Sequence, residues 1–71
     1  MANSYKTFKF VRIEFVGNWR LDWGTNGQAR YKPRENARIK VTTTNDKEED
    51  ITPAQEDVVV VTGDTIHIPI E

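Results

Sequence analysis

The chain predicts an all-β fold, and three observations lead to it. Its 71 residues include seven valines, six isoleucines and eight threonines but a single leucine. Branched side chains suit a pleated surface and lose rotamer freedom in a helix. Apolar and polar residues alternate with period two through several short runs, the pattern of strands with one buried face. Turn-forming pairs such as Gly17-Asn18 and Asn26-Gly27 separate those runs. The expectation is one antiparallel domain over residues 1–71, a small barrel or two-layer sandwich of about six short strands.

Residues 5–16 read as a long first strand. Val11, Ile13 and Phe15 share one phase, while Phe8 and Phe10 lie on the other. A bulge or sharp bend near Phe10–Val11 would bring both sets into one core. Trp19, Leu21 and Trp23 alternate with Arg20 and Asp22 as a second strand. The Asn26-Gly27 hairpin signal then leads into a third at 28–32. Pro33 ends that strand or marks an edge. Ala37, Ile39 and Val41 alternate with Arg38 and Lys40 in a fourth strand over 37–44.

Residues 45–51 read as an exposed acidic loop, because charge is dense there and apolar residues are scarce. Thr52-Pro53-Ala54-Gln55 has the form of a helix start, with threonine as cap and proline at the first helical position, so one short helical turn is expected near 53–57. Val58–Val61 reads as a fifth strand covered on both faces. Thr65–Ile70 reads as the last, with Ile66, Ile68 and Ile70 on one face, His67 and Pro69 on the other, and Pro69 placing its end at an edge.

Charge is strongly sorted along the chain. Residues 1–40 hold nine bases against three acids, a net of +6, and residues 41–71 hold one base against eight acids, a net of −7. The overall charge of −1 conceals this asymmetry. It suits an anionic partner, or two surfaces that attract each other. On the alternation alone, Arg20, Arg30, Lys32, Arg38 and Lys40 fall opposite the apolar residues of strands two to four. Across a meander they would form one solvent-facing basic stripe, a candidate face for an anionic partner. Trp19, Trp23 and Tyr31 are candidates for stacking on bases, but their phase, shared with Leu21 and Ala29, assigns them to the core. Asp46, Glu48, Glu49 and Asp50 form a candidate acidic interaction loop.

Catalytic chemistry is not expected. The chain has no cysteine, hence no disulfide and no thiolate zinc site. His67 is its one histidine and Ser4 its one serine, and nothing arranges them as a nucleophile and base. Glu56 and Asp57 are adjacent, so a strand would point them to opposite sides. The acidic stretch lacks the alternating ligands and central glycine of a calcium loop. No catalytic residue, cofactor, metal site or small-molecule substrate is therefore expected. No run approaches the roughly 20 apolar residues that span a bilayer, so neither a membrane partner nor a signal segment is expected and cytoplasmic is the default location.

A chain of this length buries only about 60% of its unfolded surface, and partnership is one way to offset a small core. The sequence thus points to a non-catalytic module that works by protein–protein contact, as an inhibitor, adaptor or assembly subunit, with another protein or a second copy as partner. An alternative is a nucleic-acid-binding β module that uses the basic N-terminal half. A third reading is a self-assembling structural subunit of a virus or secretion apparatus.

Overall fold

A computed structural model describes residues 4–70; residues 1–3 and 71 of the expected domain lie outside the described part. The longest strand, β1 (Ser4–Val16), organises the rest. Its N-terminal half pairs antiparallel with β7 (Thr65–Ile70), in register from Ser4↔Ile70 to Lys9↔Thr65. Its C-terminal half pairs with β4 (Arg38–Thr43), and there the register shifts: Phe10 faces Thr43, Arg12 faces Thr42, and Val11 is the extra residue. This is the bulge that the two apolar phases of β1 require. It leaves Val11 62% exposed and turns Phe8, Phe10, Ile13 and Phe15 onto one core. Phe10 N–H donates to Asp64 O at 2.8 Å as the strand passes from one set of neighbours to the next.

The other strands are β2 (Trp19–Thr25), β3 (Gln28–Pro33), β5 (Glu48–Ile51) and β6 (Val59–Thr62). All seven form one antiparallel sheet in the order β2-β3-β6-β7-β1-β4-β5. The sheet does not close into a barrel, since β2 and β5 remain as edges. It folds over at the β1 bulge into two layers. One holds β2, β3, β6, β7 and the first half of β1. The other holds the second half of β1 with β4 and β5. Ile39, Val41 and Ile51 of the second layer pack with Val59, Ile66 and Ile68 of the first. Phe15 reaches across to Trp19 and Tyr31, with ring centroids 4.9 and 4.5 Å apart. Trp19 stays half-buried, and its indole N–H donates to Val16 O at 2.9 Å.

Three sequence expectations need correction. There are seven strands rather than six, because Glu48–Ile51 is a strand and the acidic loop shrinks to the turn before it. Asp50 and Glu48 of β5 sit opposite Lys40 and Thr42 of β4, and Ile51 opposite Ile39; such cross-strand partners stabilise a segment that its own composition disfavours. The helical turn near 53–57 is absent; no described residue is helical. Ala54 N–H, which a first helical turn would leave without an intrahelical partner, instead donates to Pro69 O at 2.9 Å. β7 lies between β6 and β1, but its pairing with β6 stops at His67, so Pro69 does sit where the end of the strand has a free edge. A strand residue's N–H and C=O point to the same side, so the missing N–H of Pro69 faces the 52–58 segment. There β6 has not yet begun and no ladder bond is lost. Finally, β3 is followed in the sheet by β6 rather than β4, so no β2-β3-β4 meander forms.

At the passage from β1 to β2 two stretches of backbone come into close contact. Gly17 has φ +85°, and a Cβ there would lie 2.0 Å from Asn36 O. Asn18 N–H donates to Glu35 O and Arg34 N–H to Asn18 O, which ties this corner to the β3–β4 turn. Gly27 also has positive φ, +93°, but nothing lies within 4 Å of its hypothetical Cβ. Gly17→Ala is therefore expected to cost about 3 kcal/mol or more, from backbone strain plus a collision with a carbonyl, while Gly27→Ala should cost about 1–2 kcal/mol from strain alone. Urea unfolding of both variants checks this, and equal losses would contradict the close approach.

Candidate functional site

Cross-strand partners share a face, so the pairing registers sort the surface side chains into two outer faces. On the second layer, one row runs Glu14–Lys40–Asp50 and the next Arg12–Thr42–Glu48. Arg38 lies opposite Val16, and its guanidinium forks onto the Asp50 carboxylate, with Nε donating to Oδ1 at 3.1 Å. Three bases and three acids alternate across this face. Arg38 and Lys40, two members of the expected basic stripe, are thus set among carboxylates.

The outer face of the first layer differs. One row crosses all five strands as Thr7–His67–Val60–Arg30–Trp23. A parallel row runs Lys9–Thr65–Thr62–Gln28–Thr25. On the opposite flank Arg20 faces Lys32, and beside them Arg20, Lys32 and Arg34 line an open groove of about 380 Å³ together with Pro33, Glu35 and Gln55. Among the described residues, no carboxylate occupies a position in these paired rows, and Arg20, Arg30 and Lys32 form no ion pair. Acids stand at the margins and beside the cations: Asp22 bulges from β2 next to Trp23, and Glu35 lines the groove with Arg20, Lys32 and Arg34. Asp64 is in a turn, 3.8 Å from Lys9 Nζ, and Asp57 accepts from Tyr5 Oη at 3.4 Å. Of the five predicted basic residues, the fold thus brings three together and sends two to the other layer.

Aromatic groups share this face. Trp23 is 46% exposed, and the Arg30 guanidinium carbon lies 5.0 Å from its ring centroid. At the far end of the row Tyr5, 49% exposed, stacks on His67 with centroids 4.5 Å apart. Thr7 Oγ1 lies 3.0 Å from His67 Nδ1 and holds the ring in place. The assignment of Trp23 to the core is corrected by the register of the β2–β3 turn, and a second bulge follows it. Leu21 faces Tyr31 and Trp23 faces Arg30, so Asp22 is the extra residue. The signal was available. A two-residue Asn26-Gly27 loop sets Thr25 opposite Gln28, and counting back places Trp23 opposite Arg30 and Asp22 opposite Tyr31. Unbulged pairing would point Asp22 into the core, and the bulge removes it. Tyr5 carried no sequence signal, because only the β1–β7 pairing brings it to His67.

The candidate acidic group is also divided. Asp46 sits in the β4–β5 turn with φ +61°, its N–H donating to Thr43 O at 3.0 Å. Glu48 and Asp50 face outward, and Glu49 shares the inward phase of Val41 while remaining half-buried at the sheet edge. Among the described residues no group of three histidines or acids could hold a metal ion, and no described helix is long and apolar enough to cross a membrane. Comparison with protein-family models, with curated proteins and with solved structures returned no match.

The Arg38–Asp50 fork is exposed on both sides, so solvent screens it. A double-mutant cycle with Arg38→Ala and Asp50→Ala should give a coupling of about 0.2–1 kcal/mol that shrinks as salt is raised. A larger, salt-insensitive coupling would show that this pair is shielded from water.

Proposed function

We propose that the protein is a non-catalytic binding module whose working surface is the outer face of the β2-β3-β6-β7-β1 layer, and that its partner is nucleic acid. The observation that carries this reading is the sorting of charge by layer. One outer face alternates acids and bases, while the other presents Arg20, Arg30, Lys32 and two exposed aromatic groups with no carboxylate in its paired rows. Uncompensated cations on one face attract phosphates, and releasing their counterions drives association. The aromatics give the face something to recognise besides charge.

The two sheet edges support the same reading by weighing against strand addition. An exposed edge is a template for pairing with another chain, and proteins blunt it with bulges or inward-pointing charge. Here β2 carries the Asp22 bulge and β5 carries Glu49 on its core side. What is left open is a face, not an edge.

Retention on an immobilised oligonucleotide at low salt, lost progressively as salt rises, is the expected behaviour. Replacing Arg30 and Lys32 by glutamine should lower the slope of log affinity against log salt by about 0.7–0.9 for each phosphate contact removed. The same change at Arg38 and Lys40 should leave the slope within error. No retention at low salt, or equal losses from the two pairs, would refute the assignment of this face. A stable complex with an acidic protein in the absence of oligonucleotide binding would put protein contact in its place.

A further inference from the structure

We infer that the ligand of this face is single-stranded nucleic acid, held by stacking of unpaired bases on two platforms at opposite ends of one row: the Tyr5–His67 stack and the Trp23–Arg30 pair. The inference rests on the nucleic-acid reading above and narrows it.

The geometry favours exposed bases over a duplex on two grounds. First, the face is too broad for a groove. It is five strands wide, whereas the major groove of B-form DNA, about 12 Å across, admits a helix or a two-stranded ribbon. A duplex could meet this face only through its phosphates, and the exposed rings would then have no partner. Second, both aromatic groups offer π surface. Trp23 and Tyr5 are each close to half exposed, and neither belongs to the hydrophobic core. The π-face of a base is available only when the base is unstacked. A guanidinium plane lying over an indole, as Arg30 lies over Trp23, is itself a stacking surface, and its N–H edge remains free for a phosphate.

The spacing fits a short run of nucleotides. His67 and Trp23 stand three strand intervals apart in the row, about 14 Å. Between them lies Val60, an uncharged apolar side chain against which a base can rest, and then Arg30. Two or three stacked bases fit on a sheet face of this width. The cations lie on the flank beside this row: Arg20 faces Lys32, and Arg34 joins them in the neighbouring groove. Bases along the row would place the backbone over that flank. The hydroxyl-rich row on the other side carries one cation, Lys9, which lies 3.8 Å from the Asp64 carboxylate.

The test compares three probes on the intact chain at one low salt concentration: a short oligothymidylate, a duplex of the same length, and heparin as a polyanion without bases. The expected result is oligothymidylate binding at least about tenfold tighter than duplex. Trp23→Ala and Tyr5→Ala should each weaken oligothymidylate binding by about 5- to 100-fold with little change for heparin. Trp23→Phe should keep most of the affinity, which separates stacking from a folding defect, and Thr42→Ala on the opposite layer should change nothing. Equal binding of all three probes, unmoved by Trp23→Ala, would overturn this inference while leaving the polyanion-binding face intact. Failure of all three to bind would remove both.

Discussion

The fold depends on one inserted residue. Without the Val11 bulge the period-two alternation of β1 would continue unbroken, and Phe8 and Phe10 would lie on one side of the strand with Ile13 and Phe15 on the other. A single flat sheet with aromatic residues on both faces has no way to exclude water from either. The bulge shifts the phase by one, so the same strand lends its inner face first to β7 and then to β4. It also increases local twist and bends the strand, which lets the sheet fold over until Ile39 and Val41 meet Ile66 and Ile68. The two-layer core of a chain of 71 residues is thus a consequence of backbone geometry at one position.

The same device, used again at Asp22, decides what the surface can do. The Asn26-Gly27 turn fixes the register of β2 against β3, and an unbroken strand would then set a carboxylate opposite Tyr31 on the inward face. The bulge gives that position to an apolar side chain instead. It ejects Asp22, keeps Leu21 in phase with Tyr31 and turns Arg20 outward opposite Lys32, while the turn register sets Trp23 beside Arg30. The exposed tryptophan thus follows from the turn, and the outward Arg20 from the bulge. Leu21, 60% exposed although it faces inward, shows that the edge of the layer gains little burial for its side chains in return.

Much of this was legible in the residues, and the failures share a cause. The β-rich composition, the two turn signals and the opposed phases of Phe10 and Val11 lead to strands, turns and the first bulge. Alternation reports which residues share a face of one strand, but not which strands are neighbours. Arg38 and Lys40 were grouped with Arg30 because sequential strands usually pair, and here β6 takes the place beside β3. Glu48–Ile51 was read as loop because its composition is that of a solvated segment. Its stability as a strand comes from Lys40 and Arg38 across the sheet, which no local window contains. Trp23 was misplaced for a different reason: the alternation of β2 and the register set by the turn disagree, and only the register is a constraint on geometry.

The sequence-level charge dipole resolves into something more specific once the strands are in place. The basic N-terminal half and the acidic C-terminal half do not form two opposed ends of the molecule. The chain folds so that β5 meets β4, which neutralises one outer face. Other acids, such as Asp57 and Asp64, go to turns and to the rim of the first layer. The partition leaves the cations of β2 and β3 on a broad, strand-borne surface with no carboxylate in its paired rows, bordered by Asp22 and Glu35. The ladder fixes the backbone positions that carry these side chains, so a ligand would cost the side chains their rotamer freedom but the backbone little. With only a small core behind it, a domain of this size gains more from a rigid face than from mobile arms. The neutral layer behind it supplies that rigidity: the ladder to β4 and the buried Ile51 hold β5 in place, β5 and β4 cover the core, and the core backs the row from His67 to Trp23.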